Sequence, residues 1–187
     1  MDMRGRSSRK VCGIGVNDVE HATYSKSFGV WSSMLTRCTS PKRYPSYVGV
    51  TVCDEWLTFS VFERWFDDNY IEGMSLDKDL MNVGSKQYSP RNCNFVPPSL
   101  NTLFHNHTPK NDGIPRGVIQ SSKNSYSAYI SKRGKNTHLG SFGCAEDAAV
   151  AVIEARRVYI NEELKRCEGL GVNQKLIEVL RVRNNNV

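Results

Sequence analysis

Three short β-type runs followed by one long helical stretch most constrain what this chain can fold into. Turn segments separate the runs, which span residues 117–121, 126–131 and 136–141. The helical stretch covers 145–164 and has acidic residues in its first turn and small alanines on its apolar face. Because small side chains let a helix lie close to a sheet, this half predicts a three-stranded antiparallel sheet packed on one long helix. Its expected core residues are Val118, Leu139 and Phe142.

Two amphipathic helices are predicted in the first half of the chain. The first begins near Val30 and has one apolar face, made of Trp31, Met34, Leu35 and Cys38. The second begins near Ser60, whose spacing to Glu63 matches a capping box. It carries an aromatic stripe, made of Phe59, Phe62, Trp65 and Phe66. Such a stripe is typical of a hydrophobic core.

Polar residues follow at the spacing of a hairpin and a helix. The segment LDKDL at 76–80 predicts a strand that carries Asp77 and Asp79. A turn comes next, then a second apolar run at 93–96, and a Pro-Pro pair opens a short helix that carries Asn101. Oxygen ligands gathered in this way suit a divalent cation such as Mg²⁺, which in turn suits phosphodiester cleavage. The alternative is that Asp77 and Asp79 are solvated carboxylates on the edge of a hairpin.

Charge is segregated along the chain, whose formal net charge is +6. Acidic residues dominate at 54–79 and basic residues at 110–135. The first segment could hold a metal and the second could hold phosphates, as expected of a protein that binds a polyanion. The alternative is that both segments are solvated faces.

Cysteine usage and hydropathy indicate the compartment. The six cysteines are scattered without a Cys-x-x-Cys pair, which disfavours structural zinc and favours a reducing environment. No apolar stretch approaches the roughly 20 residues of a membrane span. The basic N-terminus lacks the apolar core of a signal peptide. We therefore expect a cytoplasmic protein with no membrane partner and no obligate protein partner.

The patterns divide the chain into five segments. These are a flexible basic arm at 1–27, a first domain at 28–104, a polar linker at 105–115, a sheet-and-helix domain at 116–165, and a C-terminal helix and tail at 166–187. Asn173 is the expected N-cap of the last helix.

Two sets of segments resemble known families. Residues 31–104 contain WSSMLTRC, YVGVTVCDEWLTFSVFERWF, LDKDL and YSPRNCNFVPPSLNTLF, which resemble the phage-type HNH endonucleases of the ββα-metal superfamily. Residues 116–160 contain RGV, YSAYI, HLGSF and AEDAAVA, which resemble the ethylene-response-factor (Apetala) type of DNA-binding domain. This resemblance implies an α+β chain with a small ββα-metal (HNH) nuclease domain and supporting helices. It also implies a metal-dependent homing endonuclease that hydrolyses duplex DNA, in the host cytoplasm if phage-encoded.

The resemblance assigns roles in the first domain. Asp77 matches the metal-binding Asp, Asn92 matches the loop Asn that fixes the general base, and Asn101 matches the second metal ligand. The expected metal is Mg²⁺, or alternatively Mn²⁺. It would bind the scissile phosphate and stabilise the leaving 3′ oxygen.

Lys78 stands where the family places the His that activates water. A protonated lysine cannot accept a proton, and neighbouring carboxylates favour its charged form. Asp79 could act as the base or as a third ligand, or His105 could serve from the same helical face. Otherwise the site does not cut, and the protein is a catalytically degenerate, sequence-tolerant DNA-binding protein or regulator.

In the second domain the resemblance implies that the sheet lies in the major groove of DNA. The expected contacts are Arg116, Lys123, Tyr126, Tyr129, Lys132, Arg133 and Lys135. Tyr126 replaces a family Trp, while Ile119 and Ser121 replace arginines that read guanine, so phosphate contacts are favoured over base reading. The alternative is that Tyr126 and Tyr129 are ordinary sheet residues. RNA binding lacks a supporting motif.

Overall fold

The computed structural model describes residues 10–104 and 113–185. The chain divides into two compact units, Met1–Phe95 and Val96–Val187. Both contain helices and strands, which confirms the predicted mixed α+β class. Several predicted features lie outside the described residues: arm residues 1–9, linker residues 105–112 with His105, and tail residues 186–187.

Two helices pack around an aromatic core in the first unit. They are α1 (Lys26–Thr39) and α2 (Phe59–Asn69). Trp31 and Trp56 are fully buried, and the Trp31 indole N–H donates to the Trp56 carbonyl at 2.7 Å. The N–H therefore has a partner inside the apolar core. The predicted aromatic stripe is confirmed, since three of its members are buried: Phe59, Phe62 and Phe66.

The N-terminal segment differs from the predicted loose arm from Val11 onwards. Val11 N–H donates to the Gly15 carbonyl at 2.8 Å, and Val16 forms a bridge with Thr58. A Cβ at Gly15 would lie only 2.4 Å from the Leu35 side chain. The segment thus packs against α1 through a position where only glycine fits.

The start of α2 also differs from the prediction, because Ser60 and Glu63 do not form a capping box. Instead the Asp18 carboxylate accepts from the Ser60 N–H at 2.9 Å and from the Ser60 hydroxyl at 2.6 Å. Glu63 accepts a hydrogen bond from the Ser27 hydroxyl at 3.0 Å. Burial raises the pKa of Asp18, but the bonds from Ser60 outweigh it and leave this pKa lowered. A distant carboxylate therefore caps the helix in place of the local one.

Four short strands complete the first unit. They are β1 (Thr51–Val52), β2 (Ser75–Asp77), β3 (Gln87–Tyr88) and β4 (Asn94–Val96). β1 pairs with β3 in parallel, and β2 pairs with β4. Within the β-branched segment 47–53, only Thr51 and Val52 form a strand, β1. β2 ends at Asp77, so the prediction that Asp79 lies on this strand is wrong; Asp79 lies in the turn that follows.

The second unit consists of a three-stranded antiparallel sheet and helices. Its elements are α3 (Pro98–Phe104), β5 (Val118–Ser122), β6 (Ser125–Lys132), β7 (Lys135–Phe142), α4 (Ala145–Gly169) and α5 (Gln174–Asn185). The sheet order is β5-β6-β7 and α4 packs on it, as predicted. Val118 is buried with Ala128 and Ala148, and both Leu139 and Phe142 pack against this cluster. Asn173 caps α5, since its Oδ1 accepts from the Lys175 N–H at 3.0 Å.

The face of this sheet opposite the core, here called the outer face, is polar. The strand register opposes Tyr129 to His138 and Ser127 to both Ile119 and Ser141. Directly opposed residues project from the same face, and alternate residues of a strand project from opposite faces. The outer face therefore comprises Ile119, Ser121, Ser127, Tyr129, Ser131, Asn136, His138 and Ser141.

None of the helices in the described ranges is long and apolar enough to cross a membrane.

Candidate functional site

Asp77 fixes the turn that follows β2. Only 7% of the residue is exposed, and its Oδ1 accepts from the N–H of Asp79 at 2.9 Å and of Leu80 at 2.7 Å. A carboxylate that accepts two successive backbone amides holds the chain in a turn. The turn, residues 77–80, is here called the strand-end turn. For Asp77, the alternative of a solvated carboxylate is therefore wrong.

Lys78 is a buried cation with partners inside the first unit. Its Nζ donates to Asp79 Oδ1 at 2.6 Å and to the Ser85 carbonyl at 2.8 Å. The same Nζ lies 5.9 Å from the centre of the Tyr47 ring and 5.8 Å from that of Tyr88. A carboxylate, a carbonyl and two aromatic rings thus surround the ammonium group. These contacts give Lys78 a structural role in its loop, while its part in catalysis stays a prediction.

Asp79 is the partly exposed member of this ion pair. Its side chain is 41% exposed, whereas that of Lys78 is 7% exposed. To act as a base or a metal ligand, Asp79 would have to share its carboxylate with the ammonium of Lys78. Both alternatives predicted for Asp79 are therefore weakened by its partner.

Asn92 ties together two parts of the same loop. Its Oδ1 accepts from Asn82 Nδ2 at 3.1 Å, and its Nδ2 donates to the Gln87 carbonyl at 3.1 Å.

Asn101 lies half-buried on α3 in the second unit, and its placement on a short helix is as predicted. The meeting of Asp77 and Asn101 on one cation stays a prediction.

The thiol of Cys93, which lies near the Asp77 carboxylate, is buried from solvent. Burial raises the pKa of Cys93 to about 12, with a further contribution from the Asp77 carboxylate. A thiol with so high a pKa is protonated at neutral pH and is a poor nucleophile. Cys93 is therefore a packing residue beside the strand-end turn.

The predicted divalent-cation site at the strand-end turn stays a prediction. In the described part of the chain, no group of three or more His, Cys, Asp or Glu side chains is placed to hold a metal ion. The Lys78 ammonium already neutralises the Asp79 carboxylate. A metal at Asp79 would have to displace that ammonium or bind beside it, and two adjacent cations repel each other. The predicted ligands Asp77 and Asn101, and the alternative of Asp79 as a third ligand, stay predictions.

The cations of the sheet unit fall into two groups. Lys123 lies in the β5–β6 turn, Lys135 begins β7 and Arg116 precedes β5; all three are exposed. The sequence contains no Asp or Glu between residues 113 and 142. These three cations therefore lie around a sheet that carries no opposing carboxylate of its own.

Lys132 and Arg133 form the second group, because both pair with carboxylates of α4. Lys132 Nζ lies 3.5 Å from Glu162 Oε2 and 5.2 Å from the centre of the Tyr159 ring. Arg133 donates to Glu163 Oε1 from Nε at 3.0 Å and from Nη2 at 2.6 Å, and this hydrogen bond raises the pKa of Arg133. Both residues therefore have carboxylate partners on α4, and their contact with DNA stays a prediction.

Glu163 is a buried carboxylate that the sequence analysis did not single out. It is fully buried on α4 and accepts from Ser99 Oγ at 2.7 Å and Arg166 Nη2 at 2.9 Å, in addition to Arg133. Burial raises the pKa of Glu163, but the bonds from Ser99, Arg133 and Arg166 outweigh it and leave this pKa lowered. The i,i+3 spacing to Arg166 was visible in the sequence, whereas the contacts of Ser99 and Arg133 depend on tertiary structure.

The two tyrosines predicted to contact DNA lie on opposite faces of the sheet. Tyr126 packs against the core cluster of Val118, Ala128 and Ala148. Tyr129 lies on the outer face, with its ring centre 5.0 Å from that of His138. For Tyr126 the structure favours the alternative of an ordinary sheet residue, because its ring contributes to the core.

Comparisons with known proteins give no match to a family model, to a curated protein or to a solved structure.

Proposed function

We propose that the protein binds duplex DNA through the outer face of the β5-β6-β7 sheet. The observation that carries this proposal is a polar face whose strands and turns contain cations but no carboxylate over 113–142. A surface of this kind attracts polyanions. Lys123, Lys135 and Arg116 supply phosphate contacts from the rim of the sheet, which position a protein on the duplex. Lys135 opposes Lys132 in the strand register, so it reaches the duplex from the rim and not from the outer face itself.

The dimensions of the sheet support the same surface. Neighbouring strands lie about 4.8 Å apart, so the axes of three strands span roughly 10 Å. The major groove is about 12 Å wide. Small hydroxyl side chains and His138 on the outer face offer hydrogen-bonding groups at short range. Such groups contact base edges and backbone with little discrimination, which suits a loosely read target.

Replacing the two exposed turn lysines tests this proposal. The double variant Lys123→Gln, Lys135→Gln should bind duplex DNA about tenfold more weakly at roughly 0.15 M salt. It should also lower the slope of log affinity against log salt by about 2, because two phosphate contacts are lost. Fluorescence anisotropy with a labelled duplex of mixed sequence measures both quantities.

A matched control places the same charge change elsewhere in the second unit. Lys165→Gln, Lys175→Gln removes two exposed lysines from α4 and α5. If this control loses as much affinity as the sheet variant, binding reflects net charge and the outer face is not the interface.

Hydrolysis of DNA is a second candidate function. It is favoured by a local order of elements, β2, β4 and α3, that resembles the ββα-metal module, with Asp77 fixed at the end of its first strand. We propose on this basis a metal-dependent endonuclease of the HNH homing type, in which Asp77 and Asn101 hold Mg²⁺ or Mn²⁺. The metal, when bound, would supply charge neutralisation at the scissile phosphate. Because Lys78 is hydrogen-bonded to Asp79 and to the Ser85 carbonyl, the proposed base is His105 or Asp79, and without a base the site would not cut.

Plasmid cleavage with and without Mg²⁺ or Mn²⁺ tests hydrolysis. Asp77→Asn retains an acceptor for the turn amides but loses the charge, so it should abolish cutting and preserve duplex binding. Asp68→Ala, which changes an exposed carboxylate on α2, is the control. If the wild-type protein yields neither nicked nor linear product, DNA binding without cleavage remains. Normal cutting by the Asp77→Asn protein would show that the site lies elsewhere.

A further inference from the structure

The second unit contains a cavity of about 640 Å³. It opens between α3, the start of β5, the β6–β7 turn and α4, and its lining includes Ser99, Arg116, Tyr129, Arg133, Arg156 and Tyr159. Pockets for small ligands usually measure about 300–1,000 Å³. This one is therefore large enough for a molecule well beyond the size of a single ion.

Two arginines of the lining lie near each other without a carboxylate. Arg156 is half-buried on α4, and its Nη2 donates to the Leu103 carbonyl. Burial lowers the pKa of Arg156, and the positive charge of Arg116 lowers it further. Among residues 10–104 and 113–185, the ion pairs formed with carboxylates include neither Arg116 nor Arg156.

Arg133 differs from Arg116 and Arg156 in having a carboxylate partner. Arg133 also lines the cavity, but its charge is balanced by the buried carboxylate of Glu163. Two guanidinium groups that repel each other in a partly desolvated cavity raise the free energy of the unliganded protein. An anion bound between Arg116 and Arg156 would offset that repulsion. It would also accept hydrogen bonds from the N–H groups of both guanidinium groups.

A close backbone approach brings the two arginines together. Gly117 has a left-handed φ of +82°. A Cβ on this residue would lie 2.7 Å from the Tyr129 carbonyl and 2.9 Å from the Val152 side chain. Because only glycine fits here, the backbone of β5 begins directly against α4, one turn of helix from Arg156.

The rest of the lining suits a flat aromatic ring of a ligand. Tyr129 and Tyr159 supply aromatic surface, and Ile119, Ile130 and Val152 supply aliphatic surface. Ser131 and Asn136 supply hydrogen-bonding groups in the same cavity. We infer that this cavity binds a nucleoside monophosphate, with its phosphate between Arg116 and Arg156 and its base against the apolar wall. The site shares Arg116 and four outer-face residues with the proposed duplex surface, namely Ile119, Tyr129, Ser131 and Asn136, but it does not include Lys123 or Lys135.

Calorimetric titration of the full chain tests the inference. The probes are dAMP and TMP, with deoxyadenosine and inorganic phosphate as partial ligands. At least one nucleotide should bind saturably, and each partial ligand should bind at least about tenfold more weakly, because each makes only part of the contacts. Arg156→Gln and Arg116→Gln should each weaken nucleotide binding by about tenfold. Arg157→Gln, an exposed neighbour on α4 that does not line the cavity, should bind as the wild type does.

The outcomes separate cleanly. The inference is overturned if neither nucleotide binds at millimolar concentration, if phosphate alone binds as tightly, or if Arg157→Gln weakens binding as much as Arg156→Gln. Because Arg116 is exposed, Arg116→Gln tests the site even if Arg156→Gln fails to fold. Competition by a 5′-phosphorylated oligonucleotide would identify the ligand as part of a strand, and its absence would identify a free nucleotide. Duplex binding without nucleotide binding removes only this inference; nucleotide binding without duplex binding removes only the proposed function.

Discussion

The strand-end turn of the first unit and the rim of the sheet in the second unit are both rich in charge, but their charges have different partners. Lys78 is buried and donates to a carboxylate and a carbonyl within its own loop. Lys123 and Lys135 are exposed on a segment that contains no carboxylate. The comparison teaches that the partners of a charge, more than the number of charges, distinguish an interface from a structural tie.

Arg133 occupies an intermediate position in this comparison. It lies at the rim of the sheet like Lys135, with 61% of its side chain exposed, yet it pairs with Glu163 as Lys78 pairs with Asp79. Glu163 itself is fully buried, and burial of a charge is tolerated only when donors compensate it. The variants below either remove such a partner or test which face carries the contacts.

Removing Glu163 should have the largest effect. Glu163→Ala leaves Arg133 and Arg166 without their shared carboxylate and deprives Ser99 of its acceptor. We expect a loss of about 3–5 kcal/mol in the free energy of unfolding, the usual cost of breaking a buried ion pair. Urea denaturation followed by circular dichroism measures it, and Glu162→Ala, an exposed neighbour, is the control. A loss below about 1 kcal/mol would show that the buried network contributes little.

The Glu163 carboxylate should also make the folded protein less stable in acid. The pKa of Glu163 in the folded protein lies below its ordinary value of 4.5. Its contribution to stability is therefore complete above the unfolded pKa and is lost as the pH falls through the folded pKa. Stability measured from pH 6 to pH 3 should decline less steeply for Glu163→Gln than for the wild type. Part of the decline should remain, because the pKa of Asp18 is lowered as well. Identical slopes for the two proteins would contradict this account.

Local patterns predicted most of the fold. The three strands, the helix behind them and the Asn173 cap follow from turn residues, alternation and capping, which act between residues near in sequence. The prediction was wrong at the start of α2, where a group distant in sequence forms the hydrogen bonds. Asp18 replaced the predicted local cap of α2.

The candidate site was predicted in its residues but not in their contacts. Sequence placed Asp77, Lys78 and Asn92 in one segment, and the first unit brings all three into one loop region. It could not show that Lys78 would be held between Asp79 and the Ser85 carbonyl. It also could not show that Glu163 would neutralise Arg133, since those residues meet only when α4 packs on the sheet.

Lys78→Met tests the structural role of the buried lysine. Methionine keeps much of the apolar stem but removes the bonds to Asp79 and Ser85. We expect unfolding to become easier by about 1–3 kcal/mol, because a buried hydrogen-bonded charge is lost while its partner stays partly solvated. Lys86→Met, which changes an exposed lysine of the same loop, is the matched control. Duplex binding by the second unit should not change in either variant, and a loss of DNA affinity specific to Lys78→Met would instead make this lysine part of the interface.

The two tyrosines of β6 lie on opposite faces of the sheet, so replacing each in turn compares the two faces directly. The expected effects are the smallest of those considered. Tyr126→Ala removes a ring from the core of the sheet and should lower stability by about 1–2 kcal/mol, since the ring is only half-buried. Tyr129→Ala removes a ring from the outer face and should cost less than about 1 kcal/mol, but it should weaken duplex binding about threefold. Thermal unfolding and anisotropy on the same preparations provide both readings. If Tyr126→Ala weakens DNA binding at unchanged stability while Tyr129→Ala does not, the DNA lies against the opposite face, and the absence of acidic residues from the sheet reflects its packing on α4.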